Sequence, residues 1–367
     1  MTAAPTPSAT PDVTDPTAEA LRWGLVGYGS GGRTFHRPLL LSASDLQLVA
    51  VTTTSAQRRA EVAQDAPAAT TVDGLDALPG LGVVGVTITT PSGTHVPLAH
   101  QALDLGLHVV LDKPFALNAP DARGLVEHAA AVGRVIVPYQ NRRWDSDYLT
   151  VQALLAAGTL GDVHTFTNRI ERFRPLKDSW HGSSIAEGGG TLVDLGPHLV
   201  DQALSLFGRA ATVHAELRTL RPGAGAEDDI ELHITHESGV RTTVAAGMVS
   251  ATQGARMQVN GTRAGYVVGG FDIQEEQLKN GGSPASLGDA WGTEPESAWG
   301  TLAQGSQGED LRAWPSERGR WDTFYPAVAA AIRDGSAPPV PATDAVHTAE
   351  VLDAARVSSA ERVVVSL

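Results

Sequence analysis

Residues 21–32 read LRWGLVGYGSGG, and this stretch decides the fold. An apolar run from Leu21 ends at Val26 and gives way to Gly27-Tyr28-Gly29-Ser30-Gly31-Gly32, a GxGxxG spacing followed by an amphipathic segment. Each glycine of the pattern has a steric reason. Gly27 permits the tight turn, Gly29 lets the backbone approach a pyrophosphate, and Gly32 lets the next helix pack closely on the strand. The helix start then offers unpaired N–H groups and a partial positive charge to phosphates. Gly27 to Gly32, with Tyr28 and Ser30 among them, is the expected dinucleotide-binding loop.

Working outward, four further apolar runs alternate with helical patterns up to residue 140: LQLVAVTT, VVGVTITTP, HVVLDKP and RVIVPYQ. This rhythm signals βαβ units, so residues 21–140 are predicted to form a doubly wound parallel sheet, a Rossmann domain. After Arg142 the pattern changes. A helix from about 147 to 157, a glycine-rich approach to a helix at 188–207, and a run of strands without crossovers predict an α+β domain over 141–367 with a large, mainly antiparallel sheet. Asn260-Gly261 between two extended runs reads as a hairpin turn. Residues 281–319, rich in Gly, Ser, Pro and Trp, read as a long loop, and helices are expected at about 320–334 and 343–357. Residues 1–20 are rich in Pro, Thr and Ala and read as a disordered tail.

The choice between nicotinamide cofactors is usually made at the end of the second strand, where a carboxylate holds the adenosine ribose 2′-OH. Here Thr52-Thr53-Thr54-Ser55 fill that place, with Arg58 and Arg59 following. Hydroxyls and a guanidinium suit a 2′-phosphate, so Thr53, Thr54 and Arg58 favour NADP, with NAD the alternative; the arginines could equally be solvated helix residues.

Three residues carry the expected chemistry. Lys113, in Asp112-Lys113-Pro114, closes the fifth strand at its carboxyl end, where ligands sit in open α/β sheets and where a cation can stabilise charge on a substrate oxygen. Asp194 and His198 are four residues apart, so on one helix they share a face. Histidine can take a hydroxyl proton near neutral pH, and a neighbouring carboxylate can orient it and favour its protonated form. A surface lysine beside a turn proline, a capping aspartate and a buried histidine are the bland readings of the same residues.

With GYGSGG (27–32), TTPSGTH (89–95), DKP (112–114) and GGGTLVDLGPHLVD (188–201), the chain resembles the Gfo/Idh/MocA oxidoreductases, which include glucose-fructose oxidoreductase and inositol dehydrogenases. The resemblance runs from Leu21 to the C-terminus. It implies that Lys113, Asp194 and His198 match the catalytic trio and that Thr90, Pro91 and His95 lie near the nicotinamide half of the cofactor. The family's usual Glu-Lys-Pro is Asp-Lys-Pro here. Asn141, Arg142 and Trp144, with FRP at 173–175 and Trp180, are most similar to the NADP-dependent scyllo-inositol dehydrogenase branch, which implies that Asn141, Arg142, Trp144 and Trp180 approach substrate hydroxyls. The expected activity is hydride transfer between NAD(P) and a secondary alcohol or ketone of a sugar or cyclic polyol. Two alternatives are a redox-neutral NAD-dependent glycosidase of the same fold and a non-catalytic NADPH-binding sensor. The resemblance also implies a homodimer or homotetramer paired through the sheet.

Composition narrows the remainder. The 41 acidic against 27 basic residues give a formal charge of -14, which repels nucleic acid and anionic lipid. There is no cysteine, hence no disulfide or thiolate chemistry, as suits a reducing compartment. The sequence has no signal pattern and no apolar run near the ~18 residues of a membrane span, so a soluble, cytoplasmic protein is expected. A metal hydrolase on His181, Asp194 and His198 lacks any HExxH pattern, and no metal is expected.

Overall fold

The computed structural model describes residues 19–176, 188–305 and 307–367. The first domain is a parallel sheet of β1 (Leu21–Val26), β2 (Leu46–Thr52), β3 (Thr70–Val72), β4 (Gly85–Ile88), β5 (His108–Leu111) and β6 (Ile136–Pro138), in the order β3-β2-β1-β4-β5-β6. A π-helical turn at Gly31–His36 leads into α1 (Arg37–Ser42), and α2 (Ala56–Asp65), α3 (His95–Asp104) and α4 (Ala119–Ala131) complete the crossovers. The strands are continuous apolar runs because helices cover both faces of the sheet, and β4 is buried throughout. Strand order reverses on either side of β1, which puts the glycine loop at the switch point where such sheets bind ligands.

The second domain contains α5 (Ser146–Ala156), β7 (Val163–Glu171), α6 (Thr191–Asp194), α7 (Gly196–Phe207), β8 (Ala210–Arg218), β9 (Asp229–His236), β10 (Arg241–Gly247), β11 (Met257–Gly261), β12 (Gly265–Val268), α8 (Gln274–Lys279), α9 (Pro284–Leu287), β13 (Gly300–Gln304), β14 (Asp310–Trp314), α10 (Phe324–Arg333), α11 (Ala342–Glu361) and β15 (Val365–Ser366). Its nine-stranded sheet runs β14-β13-β12-β11-β7-β10-β9-β8-β15 and is antiparallel except for the parallel pair β7 and β10. Alternating burial along β9 marks one face packed on helices and one face outward.

Three sequence expectations change here. Residues 281–319 are not one loop: α9, β13 and β14 lie within them, and the two strands extend the sheet, β13 too short and β14 too exposed to show a clear period in the sequence. The turn between β11 and β12 falls after Asn260-Gly261, because Asn260 already pairs with Gly265. Gly261 is needed for a different reason, since a Cβ there would sit 2.2 Å from the Leu160 carbonyl oxygen. The expected single helix over 188–207 divides at Leu195, where Pro197 has no N–H with which to continue the ladder.

The last helices tie the domains together. Trp321, Phe324, Tyr325 and Val328 pack into the core around Trp23 and Leu25. The first half of α11 buries Ala345, Val346 and Ala349 with the Rossmann strands, while Val351, Leu352, Ala354 and Ala355 join the core of the second domain. The predicted tail lies almost wholly outside the described residues. No described helix is long and apolar enough to cross a membrane.

Candidate active site

The glycine loop has the shape that a dinucleotide requires. Gly27 holds φ at +93°, and a Cβ on Gly32 would lie 2.3 Å from the Gly27 carbonyl oxygen, so helix and strand touch only because both are glycine. Around Gly29 the space is open, and the sole neighbour of a Cβ built there is the Arg58 guanidinium at 3.9 Å. This open cradle beside a helix start fits a pyrophosphate. Ser30 is exposed at the start of the π-helical turn. Tyr28 instead faces inward, where its hydroxyl donates to Asp65 at 3.2 Å and burial pushes its pKa up to about 12.

At the end of β2 the two arginines part company. Arg59 pairs with Asp73 and donates to Thr71, whereas the exposed Arg58 has no ion pair among the described residues and reaches toward the glycine loop. Thr54 is exposed beside it, Ser55 caps α2, and Thr53 is buried, its hydroxyl accepting from the Ser55 N–H. After β4, Thr90 and Pro91 form the next loop. His95 is buried, with Nδ1 2.8 Å from the Pro114 carbonyl oxygen and Nε2 2.8 Å from that of Thr90, and so clamps this loop to the one bearing Lys113.

The Lys113 ammonium crosses between domains and donates to Asp194 Oδ1 at 2.6 Å and to the Asp194 carbonyl at 2.9 Å. Asp194 is set by the start of α6, where the Thr191 N–H donates to the Glu227 carbonyl and the Leu192 N–H to Glu227 Oε1. His198 is buried, and its Nδ1 has no hydrogen-bond partner among the described residues. Burial, with Arg142, Lys113, Arg256 and Arg172 all facing it, holds its pKa well below the usual imidazole value. The expected carboxylate that favours a charged imidazole is not Asp194, which pairs with Lys113; burial first, and then the surrounding cations, disfavour the charged form of His198.

Arg142 is buried against Asp145 at 3.0 Å and Glu275 at 2.8 Å, and despite burial Arg142 and Lys279 bring Glu275 down to about 2. Asn141 is buried beside it, and Trp144 packs edge-on against Phe324 with ring centroids 5.6 Å apart. Trp180 and His181 lie outside the described residues. Sequence reasoning missed Glu275, Arg256, Arg172, Glu227 and His36. Their only sequence signal is an unusual density of arginine and carboxylate, which does not say which will meet. His36, its ring tilted against that of Tyr139 and its Nδ1 2.6 Å from the Tyr325 hydroxyl, approaches Asp112 at 3.5 Å. Burial would raise the Asp112 pKa, but His36, His95 and Lys113 bring it below its ordinary value.

Comparison with known proteins identifies the family and the fold. Residues 21–140 match the family described as an oxidoreductase family with an NAD-binding Rossmann fold, and residues 148–267 match the GFO/IDH/MocA C-terminal domain. The chain is 36% identical to the oxidoreductase YdgJ of Escherichia coli, covering 92% of this chain and 95% of that protein. It is 32% identical to scyllo-inositol 2-dehydrogenase (NADP(+)) IolW of Bacillus subtilis, covering 94% and 95%. The solved structure of yvaA from Bacillus subtilis superposes with a TM-score of 0.89 at 31% identity, covering 96% of this chain and all of that one.

Proposed function

The chain belongs to the Gfo/Idh/MocA oxidoreductase family and binds NAD(P) through its Rossmann domain, and from that premise we propose that it is an NADP-dependent dehydrogenase acting on a secondary alcohol or ketone of a sugar or cyclic polyol. The observation that carries the reading is the meeting of Lys113 with Asp194 beside a buried histidine whose pKa is depressed. A nicotinamide dinucleotide bound at the glycine loop supplies the hydride acceptor or donor. The protein supplies the rest. His198, its pKa held below the usual imidazole value, accepts the proton of the alcohol. The Lys113 ammonium steadies the oxygen as charge develops on it, and Asp194 fixes the lysine rather than the imidazole. In ketone reduction the same groups serve in the opposite sense.

Preference for NADP rests on Arg58, Thr54 and Ser55 at the end of β2, a cation and two hydroxyls, with the nearby Asp73 carboxylate of the neighbouring strand taken up by Arg59. A nicotinamide fluorescence titration with NADPH and NADH side by side tests this. Tighter NADPH binding is expected, and equal or stronger NADH binding would overturn the preference. We further propose that the outward face of the nine-stranded sheet pairs two copies of the chain, which sedimentation of the purified protein would check by finding a dimer or tetramer rather than a monomer.

A further inference from the structure

Arg172 follows the last residue of β7, and its backbone is fixed there: its N–H donates to the Gly247 carbonyl and its carbonyl accepts from the Ser250 N–H. The same end of the sheet anchors the aspartate of the active site, because the Met248 N–H donates to Asp228 and the neighbouring Glu227 holds the first residues of α6. Arg172 therefore stands at the edge of the site that contains Asp194 and His198, and it is one of the cations that depress His198.

The charges of the site can be matched one by one. Lys113 has Asp194 at 2.6 Å, Arg142 has Glu275 at 2.8 Å and Asp145 at 3.0 Å, and Arg256 has Asp147 at 3.4 Å. Arg172 differs, because Glu275 and Asp194 act on it only from beyond ion-pair distance. Among the described residues its guanidinium makes no ion pair or hydrogen bond, and it lies 5.6 Å from the ring centroid of Phe271. Burial, with Arg174 and Arg142 nearby, lowers its pKa even though Glu275 and Asp194 act in the opposite sense. A guanidinium partly removed from water, with no hydrogen-bond acceptor among the described residues, is suited to a planar or tetrahedral oxyanion, which it can hold by paired N–H donors. With the whole chain at -14, anions are repelled at long range, so the local surplus has the character of a selective contact.

Resting on the dehydrogenase reading above, we propose that the substrate is a sugar or polyol bearing an acid group, a carboxylate or a phosphate monoester, and that Arg172 binds this group while His198 and Lys113 address the reacting hydroxyl. Phe271, beneath the guanidinium, limits its freedom and acts as a positioning residue.

The test is calorimetric titration of the NADP-loaded protein with D-glucose, D-glucuronate and D-glucose 6-phosphate, repeated with the galactose, galacturonate and galactose 6-phosphate set. The same ligands are then titrated into Arg172→Met, Arg172→Lys and Arg174→Met. At least one acid is expected to bind about tenfold more tightly than its neutral parent, the usual scale of one charge-assisted contact. That ratio is expected to fall to near one in Arg172→Met, to recover partly in Arg172→Lys and to persist in Arg174→Met. Glucuronate against the phosphate tells which acid the site takes. Three results would each overturn the proposal: no acid preferred over its parent, a preference that survives Arg172→Met, or an equal loss in Arg174→Met, which would indicate long-range charge alone. Failure of the cofactor itself to bind, measured beforehand, would instead count against the dehydrogenase reading.

Discussion

The Nζ of Lys113 lies 2.6 Å from Oδ1 of Asp194, joining the carboxyl end of a Rossmann strand to a helix of the second domain. The contact makes the site a product of both domains, since neither β5 nor α6 alone holds the lysine where a substrate oxygen would sit beside His198. It also changes the role assigned to the aspartate, from orienting an imidazole to holding an ammonium.

Replacing Lys113 by Met removes the cation that steadies the substrate oxygen. Turnover should fall by roughly 10²–10³-fold, the scale of losing one electrostatic stabiliser, while NADPH affinity stays near that of the parent. Steady-state kinetics paired with a cofactor titration checks this, and full turnover in the variant would take Lys113 out of the chemistry.

His198 gives a signed pH dependence. Its pKa in the fold is depressed, so the folded protein binds fewer protons than the unfolded chain below the ordinary imidazole value of about 6.5. Two consequences follow from the sign. The base form persists as pH falls through about 6.5, so kcat/KM for alcohol oxidation should show no limb there. Stability is full above about 6.5 and declines as pH drops below it, with His108, brought to about 4 by burial and Arg134, and His236, lowered by burial, adding to the loss. An acidic limb in kcat/KM centred near 6.5 would contradict the neutral, cation-faced imidazole.

Arg58→Ala should weaken NADPH binding by roughly ten- to hundredfold, as expected for loss of a charged hydrogen bond, and leave NADH binding within about twofold. The fluorescence titration reads both directly. Equal weakening for the two cofactors would place Arg58 against a part of the dinucleotide they share.

Gly190→Ala tests the support beneath Asp194. Gly190 holds φ at +103°, and a Cβ there would lie 2.4 Å from Glu227 Oε1, the atom that accepts the Leu192 N–H. Backbone strain of about 1–3 kcal/mol is expected, seen as a lower Tm, together with reduced kcat as α6 shifts. An unchanged Tm with unchanged kcat would show that the start of α6 tolerates displacement.

The sequence made the first domain readable because its signals are local. Gly27, Gly29 and Gly32 announce a loop that only glycine can form, and continuous apolar strands announce a sheet covered on both faces. The four-residue spacing of Asp194 and His198 was visible as well, but the single helix expected to carry both divides at Leu195, so Asp194 ends α6 and His198 lies in α7. What was not visible depends on pairing across long stretches of chain. Lys113 meets Asp194, Arg142 meets Glu275, and Arg172 meets no counter-ion among the described residues, facts set by how the two sheets face each other rather than by any spacing. The strands at 300–304 and 310–314 are hard to read because the first is only five residues long and the second lies at the exposed edge of the sheet, where burial imposes little alternation. The turn after Gly261 was misplaced because that glycine answers to Leu160 from another element, not to the hairpin.

The most direct test of the dehydrogenase assignment is to incubate the protein with NADP and a panel of inositols, aldoses and their acids, and to quantify reduced cofactor and ketone product together. The expected result is net NADPH formed in equal amount to ketone and strongly reduced in His198→Asn. Cleavage of aryl glycosides without net NADPH, or firm NADPH binding with no turnover of any member of the panel, would contradict it.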